Sequence, residues 1–148
     1  MNANIRSALQ QYGQQSTQGA VEGADPHRLI QMLMEGALDK IAIAKGAMER
    51  REFAAKSQHI SWAVSIINGL RMSLDKEAGG QLAENLDALY EYMGQRLMQA
   101  NSSNDIAILD EAATLLRQIK EGWDAIPADV RQQYSGKNAA SQPRQASL

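Results

Sequence analysis

The chain has 148 residues, of which 44% are apolar and 22% are charged, and its formal net charge is −2. This length suits one domain with a sizeable core, and the near-neutral charge argues against a nucleic-acid-binding protein. The absence of cysteine excludes disulfides, thiolate metal sites and cysteine nucleophiles. The sequence has no apolar run long enough to span a bilayer and no signal-peptide layout. We therefore expect a cytoplasmic protein that does not insert into a membrane.

Residues 1–24 form a polar, glutamine-rich segment. Its largest apolar side chains, Ile5, Leu9 and Tyr12, are spaced by four and three residues, so they would share one face of a short helix. Glycines after Tyr12 break any longer helix. Because such a segment is too short and too polar to fold alone, we predict that it caps the rest of the chain or stays disordered.

The first predicted helix begins at Asp25-Pro26, because Asp is a good N-cap and Pro fits the first helical position. Apolar residues at alternating spacings of four and three then predict a helix over 26–49. Leu29, Met32 and Leu33 extend the apolar surface beyond one face. This excess, with seven methionines in the chain, is typical of a surface that accepts another apolar helix, although core packing explains it equally well.

The same alternation predicts further helices over 52–75, 80–101 and 104–124. Their expected inward residues are Phe53, Ile60, Ala63, Ile67, Leu70 and Leu74 in the second helix, Leu82, Leu86, Leu89, Met93, Leu97 and Ala100 in the third, and Leu109, Ala112, Leu116, Ile119 and Trp123 in the fourth. Asn85 and Tyr92 place polar groups on the leucine-rich third helix. They suit either a contact across an interface or a hydrogen bond within the fold.

Short connections join the four predicted helices. Two glycines lie in the break at 75–80, and Asn101-Ser102-Ser103-Asn104 has turn and N-cap chemistry. Four helices with short connections predict an all-α protein, an antiparallel up-down four-helix bundle over 25–126. Residues 127–148 lack apolar periodicity, so we expect them to form a flexible, disordered tail.

Residue patterns for catalysis are missing from the sequence. Di-metal sites in bundles need Glu-x-x-His pairs, and neither His27 nor His59 has an acid three residues before it. No nucleophile elbow and no glycine-rich phosphate loop occurs, so we predict no catalytic residue, no cofactor and no metal site. One alternative stays open, a regulatory or phosphorelay bundle with His59 as the phosphate carrier, although the basic residue and glycine expected after that histidine are missing.

Two stretches resemble a known family. Residues 25–37, DPHRLIQMLMEGA, resemble the first helix of FliS, the flagellin-specific export chaperone. Residues 74–93, LDKEAGGQLAENLDALYEYM, resemble the family's GG-x-(I/L)-A-x-N-L-x-x-L-Y-x-Y-M signature. The similarity covers residues 5–126 and departs from the family pattern at Asp25, where serine is common, and at Met34, where an aromatic residue is common.

The resemblance implies a non-catalytic cytoplasmic chaperone of flagellum assembly and type III secretion. Its implied partners are the C-terminal region of flagellin, which it would keep from premature polymerisation, and a membrane protein of the flagellar export gate. Other flagellar regulators are further candidate partners. The stretch Leu9-Gln10-Gln11-Tyr12 resembles a family element that covers part of the surface and takes part in flagellin binding. The flagellin-binding surface is then expected to include Leu9, Tyr12, Leu29, Met32, Leu33, Asn85, Leu89 and Tyr92.

Overall fold

A computed structural model describes residues 25–127 of the chain. Its four α-helices are α1 Pro26–Glu49, α2 Phe53–Met72, α3 Lys76–Ser103 and α4 Ile106–Asp124. All four predicted helices are present, with ends that differ from the predicted ones by a few residues at most. The predicted N-terminal capping segment and nearly all of the predicted tail lie outside the described residues.

Helices that follow one another in sequence pack together, and α1 also packs against α4, which closes the four into a bundle. Contacts between helix ends fix the directions. His27 at the start of α1 contacts Trp123 at the end of α4, and Lys56 near the start of α2 contacts Asn101 near the end of α3. The predicted antiparallel up-down bundle is therefore confirmed.

Aspartates define the start of three helices. Asp25, Asp75 and Asp105 each precede a helix, and each accepts a hydrogen bond from a backbone amide of the first turn. A cap of this kind stabilises a helix by about 1 kcal/mol. The connection from α1 to α2 differs, because it relies on Arg51 in a left-handed conformation with φ 60°, which L residues adopt at a cost of about 1–2 kcal/mol.

The helix α3 has a kink close to its start. Gly80 has φ 53° and ψ −129°, a combination that side chains forbid and glycine permits. The sequence predicts a break over 75–80 followed by a helix. The structure places the break at Gly80 and adds one helical turn before it, because the Asp75 side chain caps that turn at Ala78 N, 3.0 Å away.

The core lies between the four helices. Its largest fully buried side chains are Leu33, Met34, Ile60, Ile66, Ile67, Leu70, Met93, Leu97, Leu109 and Leu116. Three residues predicted to point inward are exposed instead, namely Phe53 (42%), Leu82 (66%) and Leu89 (36%). In α3 the buried row runs through Ala83 and Tyr90, one position further along. Both rows satisfy the alternation of four and three, and the row that buries the larger Tyr90 ring faces the core.

Candidate partner-binding surface

An exposed row of side chains follows one side of α3. Leu82, Leu89 and Tyr92 are exposed, and Asn85 is exposed between them. Their spacings of three, four and three residues place these four side chains in one line along the helix. A contiguous line of exposed apolar side chains is typical of a surface that binds another chain.

This row lies on the side of α3 that is next to α4. The hydroxyl of Tyr92 donates to Glu111 Oε2, and Arg96 Nε donates to Glu111 Oε1 at 2.9 Å. Since α3 and α4 are antiparallel, residues after Glu111 come level with residues before Tyr92. At 1.5 Å per residue, Leu115 comes level with Leu89.

The facing side of α4 is apolar as well. Leu115 and Ile119 follow Glu111 on the same side of α4, and both are partly buried against the core. By the same register Ile119 comes within about 3 Å of the level of Leu86 along the helix axis, and Leu86 is also partly buried. We define the α3–α4 furrow as the surface formed by Leu82, Asn85, Leu86, Leu89 and Tyr92 of α3 with Leu115 and Ile119 of α4.

Charged residues hold α3 to α2 on the side away from the furrow. Asp87 forms ion pairs with Arg71 and with Lys76, the latter at 3.1 Å, and Arg71 also approaches Glu91 at 3.5 Å. Hydrogen bonds from Arg71 and then from Lys76 lower the pKa of the Asp87 carboxyl. The contacts of Arg71 fasten α3 to α2, whereas the pair of Lys76 with Asp87 lies within α3. The furrow side of α3 therefore stays free for a partner.

A polar cluster of Tyr92, Arg96 and Glu111, here called the polar latch, lies at one end of the furrow. The hydrogen bond from Tyr92 and then that from Arg96 lower the pKa of Glu111, because both donors favour the charged carboxylate. The same contact raises the pKa of the Tyr92 hydroxyl. Along the furrow from this latch towards Leu82, apolar side chains predominate.

The structure divides the predicted site residues into groups. Asn85, Leu89 and Tyr92 lie together in the furrow, Met32 is partly buried on α1, Leu29 and Leu33 lie in the core, and Leu9 and Tyr12 lie outside the described residues. Leu29 and Leu33 are 3% and 0% exposed, so neither presents a surface to a partner in this structure. The Asn85 side chain accepts a hydrogen bond from Gln81 of its own helix at 3.0 Å.

Sequence reasoning missed four members of the furrow. It placed Leu82, Leu86 and Ile119 among the inward residues and did not assign Leu115 to a surface. Tyr90 was the residue in the sequence that could have indicated the correct buried row of α3. Burying its ring requires the row that starts at Ala83 to face inward. With that row inward, Leu82 is left at the surface.

His59 lies half-buried on α2, where Nδ1 donates to Ala55 O at 2.9 Å and the ring stacks beside Trp62 with centroids 6.1 Å apart. Among residues 25–127 the structure brings no three His, Asp or Glu side chains into an arrangement that could hold a metal ion. In the same part of the chain, no helix combines the length and the apolar character that crossing a membrane requires.

A family model described as flagellar protein FliS matches residues 8–130, which include the whole furrow. The chain belongs to the FliS family. The flagellar secretion chaperone FliSB of Pseudomonas aeruginosa is 54% identical over 119 residues, which cover 80% of this chain and 94% of that protein. The flagellar secretion chaperone FliS of Salmonella typhimurium is 43% identical over 121 residues, which cover 81% of this chain and 90% of that protein. The flagellar secretion chaperone FliS of Vibrio cholerae is 38% identical over 125 residues, which cover 84% of this chain and 92% of that protein.

The resemblance seen in residues 25–37 and 74–93 is thus confirmed. FliS is a family of flagellar secretion chaperones, a role without catalysis, and this FliS-family chain is accordingly not an enzyme. The comparisons give no support to a phosphorelay role for His59.

Proposed function

We propose that this FliS-family chain is a cytoplasmic export chaperone that binds the C-terminal region of flagellin in the α3–α4 furrow. Bound there, the flagellin segment is kept from premature polymerisation and is presented to a membrane protein of the flagellar export gate. The observation that carries the proposal is the exposed line of Leu82, Asn85, Leu89 and Tyr92 beside the apolar side of α4.

The furrow has the dimensions of a helix-binding groove. From Leu82 to Tyr92 it extends for about 15 Å at 1.5 Å per residue, which matches roughly three turns of a partner helix. An amphipathic helix binds such a groove through apolar residues at i, i+3 or i+4, and i+7. Each leucine removed from water contributes about 1.5–3 kcal/mol before the ordering cost is subtracted.

Polar groups at the furrow set the orientation of the bound segment. The exposed Asn85 amide offers a donor and an acceptor in the middle of the apolar line. Glu111 accepts hydrogen bonds from Tyr92 and Arg96, and this charged group marks one end of the apolar furrow. A partner helix that places a polar residue opposite Asn85 satisfies both its own hydrogen bonds and those of the amide.

The other predicted residues support binding in different ways. Leu29 and Leu33 hold α1 in the core and so keep the bundle in the shape that forms the furrow. Met32 lies at a different edge of the bundle, on α1, and provides a second region of contact. The N-terminal residues Leu9 and Tyr12, which the resemblance assigns to flagellin binding, add further contacts. Other flagellar regulators are candidates for binding at either surface.

Substitutions on opposite sides of α3 test the binding surface. Leu89→Glu places a charge in the furrow, whereas Met98→Glu places the same charge nine residues later, which is half a turn round the helix; Met98 is 53% exposed. Calorimetry with the C-terminal segment of flagellin is expected to show at least tenfold weaker binding for Leu89→Glu, unchanged binding for Met98→Glu, and a negative heat-capacity change for the unmodified chain. Equal affinities for both variants would refute binding in the furrow.

The export step has a separate test. The complex of chaperone and flagellin is expected to be retained by the immobilised cytoplasmic domain of the export-gate membrane protein more strongly than either protein alone. Retention of flagellin alone at the same level as the complex would contradict presentation by the chaperone.

A further inference from the structure

Leu82 and Leu89 both lie in the α3–α4 furrow, yet their exposure differs. Leu82 is 66% exposed, more than any other large apolar side chain of residues 25–127, whereas Leu89 is 36% exposed. Leu89 comes level with Leu115 of α4, which carries a partly buried apolar side chain. The residue of α4 that faces Leu82 is of a different kind.

Gly122 is the residue of α4 that faces Leu82. It follows Glu111 by eleven residues, which is three turns and about 20° round the helix, and Glu111 accepts hydrogen bonds from Tyr92 and Arg96 of α3. Gly122 therefore faces α3 as Glu111 does. By the register that sets Tyr92 level with Glu111, Gly122 lies within about 1.5 Å of the level of Leu82 along the helix axis. Leu82 is left uncovered because its counterpart on α4 has no side chain.

The packing of residues 25–127 gives no reason for glycine at position 122. Its backbone is helical and has no positive φ. Apart from the backbone of α4 and the two adjacent residues, no heavy atom of residues 25–127 lies within 4 Å of the position that a Cβ atom would take there. Gly79 differs, since its Cβ would lie 2.8 Å from the Cβ of Ala83. Close packing thus accounts for Gly79 and not for Gly122, although glycine is less favourable than alanine in a helix.

The missing side chain leaves an open space at the end of the furrow opposite Glu111. We define the Gly122 notch as the space beside Gly122 that Leu82 borders on α3 and that Gln118 and Ile119 border on α4. Gln118 and Ile119 precede Gly122 by four and three residues, so they are its neighbours on the helix surface. An exposed leucine beside bare helix backbone suits a large side chain of another helix, which fits such a space as a knob fits a hole.

Resting on the proposed function, we propose that Gly122 is a specificity-determining residue of the furrow. It accepts a large apolar side chain of the bound flagellin helix, such as leucine or phenylalanine, which packs in the notch against Leu82. The absence of a Cβ atom lets that side chain approach the backbone of α4 closely. Burial of Leu82, the most exposed large apolar side chain of residues 25–127, favours the complex.

The spacing along the furrow sets the register of this side chain. Leu82 and Leu89 are seven residues apart, which is about 10.5 Å along α3. A partner helix that runs along the furrow covers the same distance in seven residues. Its side chain in the notch therefore lies seven positions from the one that packs between Leu89 and Leu115, which is the i and i+7 pattern of a helix bound in a groove.

Filling the notch tests this role of Gly122. Gly122→Leu places a side chain where that of the partner belongs, so calorimetry with the C-terminal segment of flagellin is expected to show at least tenfold weaker binding. Gly122→Ala leaves most of the notch open and is expected to bind within about threefold of the unmodified chain.

Gly94→Leu is the matched control. Gly94 is an equally open helical glycine, and it follows Asp87, which pairs with Arg71 of α2, by seven residues. It therefore lies on the α2 side of α3, away from the furrow. The affinity of Gly94→Leu for the flagellin segment is expected to equal that of the unmodified chain, and urea unfolding of each variant checks that the bundle is folded.

Alanine substitutions in the flagellin segment provide the second measurement. The partner residue that occupies the notch is expected to lose affinity for the unmodified chain when it is replaced, and to lose little for Gly122→Leu, a coupling that a double-mutant cycle detects. It is expected seven positions from the residue that couples to Leu89→Ala. Full-strength binding of Gly122→Leu, or the absence of any coupled residue, would overturn the inference.

The two proposals fail in different ways. Weaker binding of Leu89→Glu together with full binding of Gly122→Leu refutes the role of the notch alone. Full binding of both variants refutes binding in the furrow and, with it, the role of Gly122.

Discussion

His27 and Trp123 each donate a side-chain hydrogen bond to the other's backbone carbonyl. Nε2 of His27 donates to Trp123 O at 2.7 Å, and Nε1 of Trp123 donates to His27 O at 3.0 Å. The two rings stack with centroids 4.9 Å apart and planes 8° apart. The pair joins the start of α1 to the end of α4, so that one reciprocal contact closes the bundle across 96 residues of chain.

Loss of this reciprocal contact is expected to destabilise the bundle cooperatively. Trp123→Phe keeps an aromatic ring beside His27 and removes the donor, which should lower the free energy of unfolding by about 1 kcal/mol. His27→Phe removes the opposite donor. Because each substitution disturbs the same stacked pair, the double variant should lose less than the sum of the single losses, with a coupling of about 0.5–3 kcal/mol. Urea unfolding followed by circular dichroism measures all three values, and additive losses would show that the two bonds act independently.

The helices could be predicted from local sequence because their signals are local. Asp25, Asp75 and Asp105 precede three helices as caps, and apolar spacing predicts the buried faces. The His27–Trp123 contact could not be predicted in this way, since no spacing rule relates two residues that are 96 positions apart in the sequence. In the sequence His27 was considered only as a metal ligand, and no acid precedes it by three residues.

The candidate surface was predicted less completely than the fold. Asn85, Leu89 and Tyr92 were expected on it from the family signature, and the structure places all three in one line. Leu82 was missed because two adjacent rows of α3 satisfy the same apolar spacing. Only the packing of Tyr90 against the core decides between these rows, and packing is a tertiary property that overrides periodicity.

The turn between α3 and α4 is expected to depend on Asn104 in two ways. Asn104 has a left-handed conformation with φ 53°, and its Oδ1 accepts a hydrogen bond from the buried Lys56 ammonium at 2.7 Å. Asn104→Gly removes only the hydrogen bond, whereas Asn104→Ala also imposes the backbone cost of a left-handed residue. We expect the alanine variant to be less stable than the glycine variant by about 1 kcal/mol in urea unfolding. Equal stabilities would mean that the backbone conformation relaxes in the variants.

Acid is expected to weaken the attachment of α3 to α2 through Asp87. Hydrogen bonds from Arg71 and Lys76 lower the pKa of this carboxyl in the folded state below its ordinary value of 3.8. A lowered folded pKa means that the stabilisation is present above pH 3.8 and is lost as the pH falls below it. The urea midpoint should therefore fall on acidification below that pH, and Asp87→Asn should reduce this dependence. A variant with the same acid dependence as the unmodified chain would assign the effect to other carboxyls.

Alkali is expected to unfold the bundle through Tyr90, the residue that decides which row of α3 faces the core. Tyr90 is 3% exposed, and burial raises its pKa from 10 to about 12, because the phenolate loses hydration in the core. A raised folded pKa means that the stabilisation is complete below pH 10 and is lost as the pH rises towards 12. The loss over that interval amounts to about 2–3 kcal/mol.

Urea midpoints measured from pH 8 to 12 should fall steeply for the unmodified chain and much less steeply for Tyr90→Phe. Tyr92→Phe is the matched control, since Tyr92 lies two residues away in the furrow and should leave most of the alkaline loss in place. An unaltered pH profile for Tyr90→Phe would show that the Tyr90 hydroxyl ionises without unfolding the core.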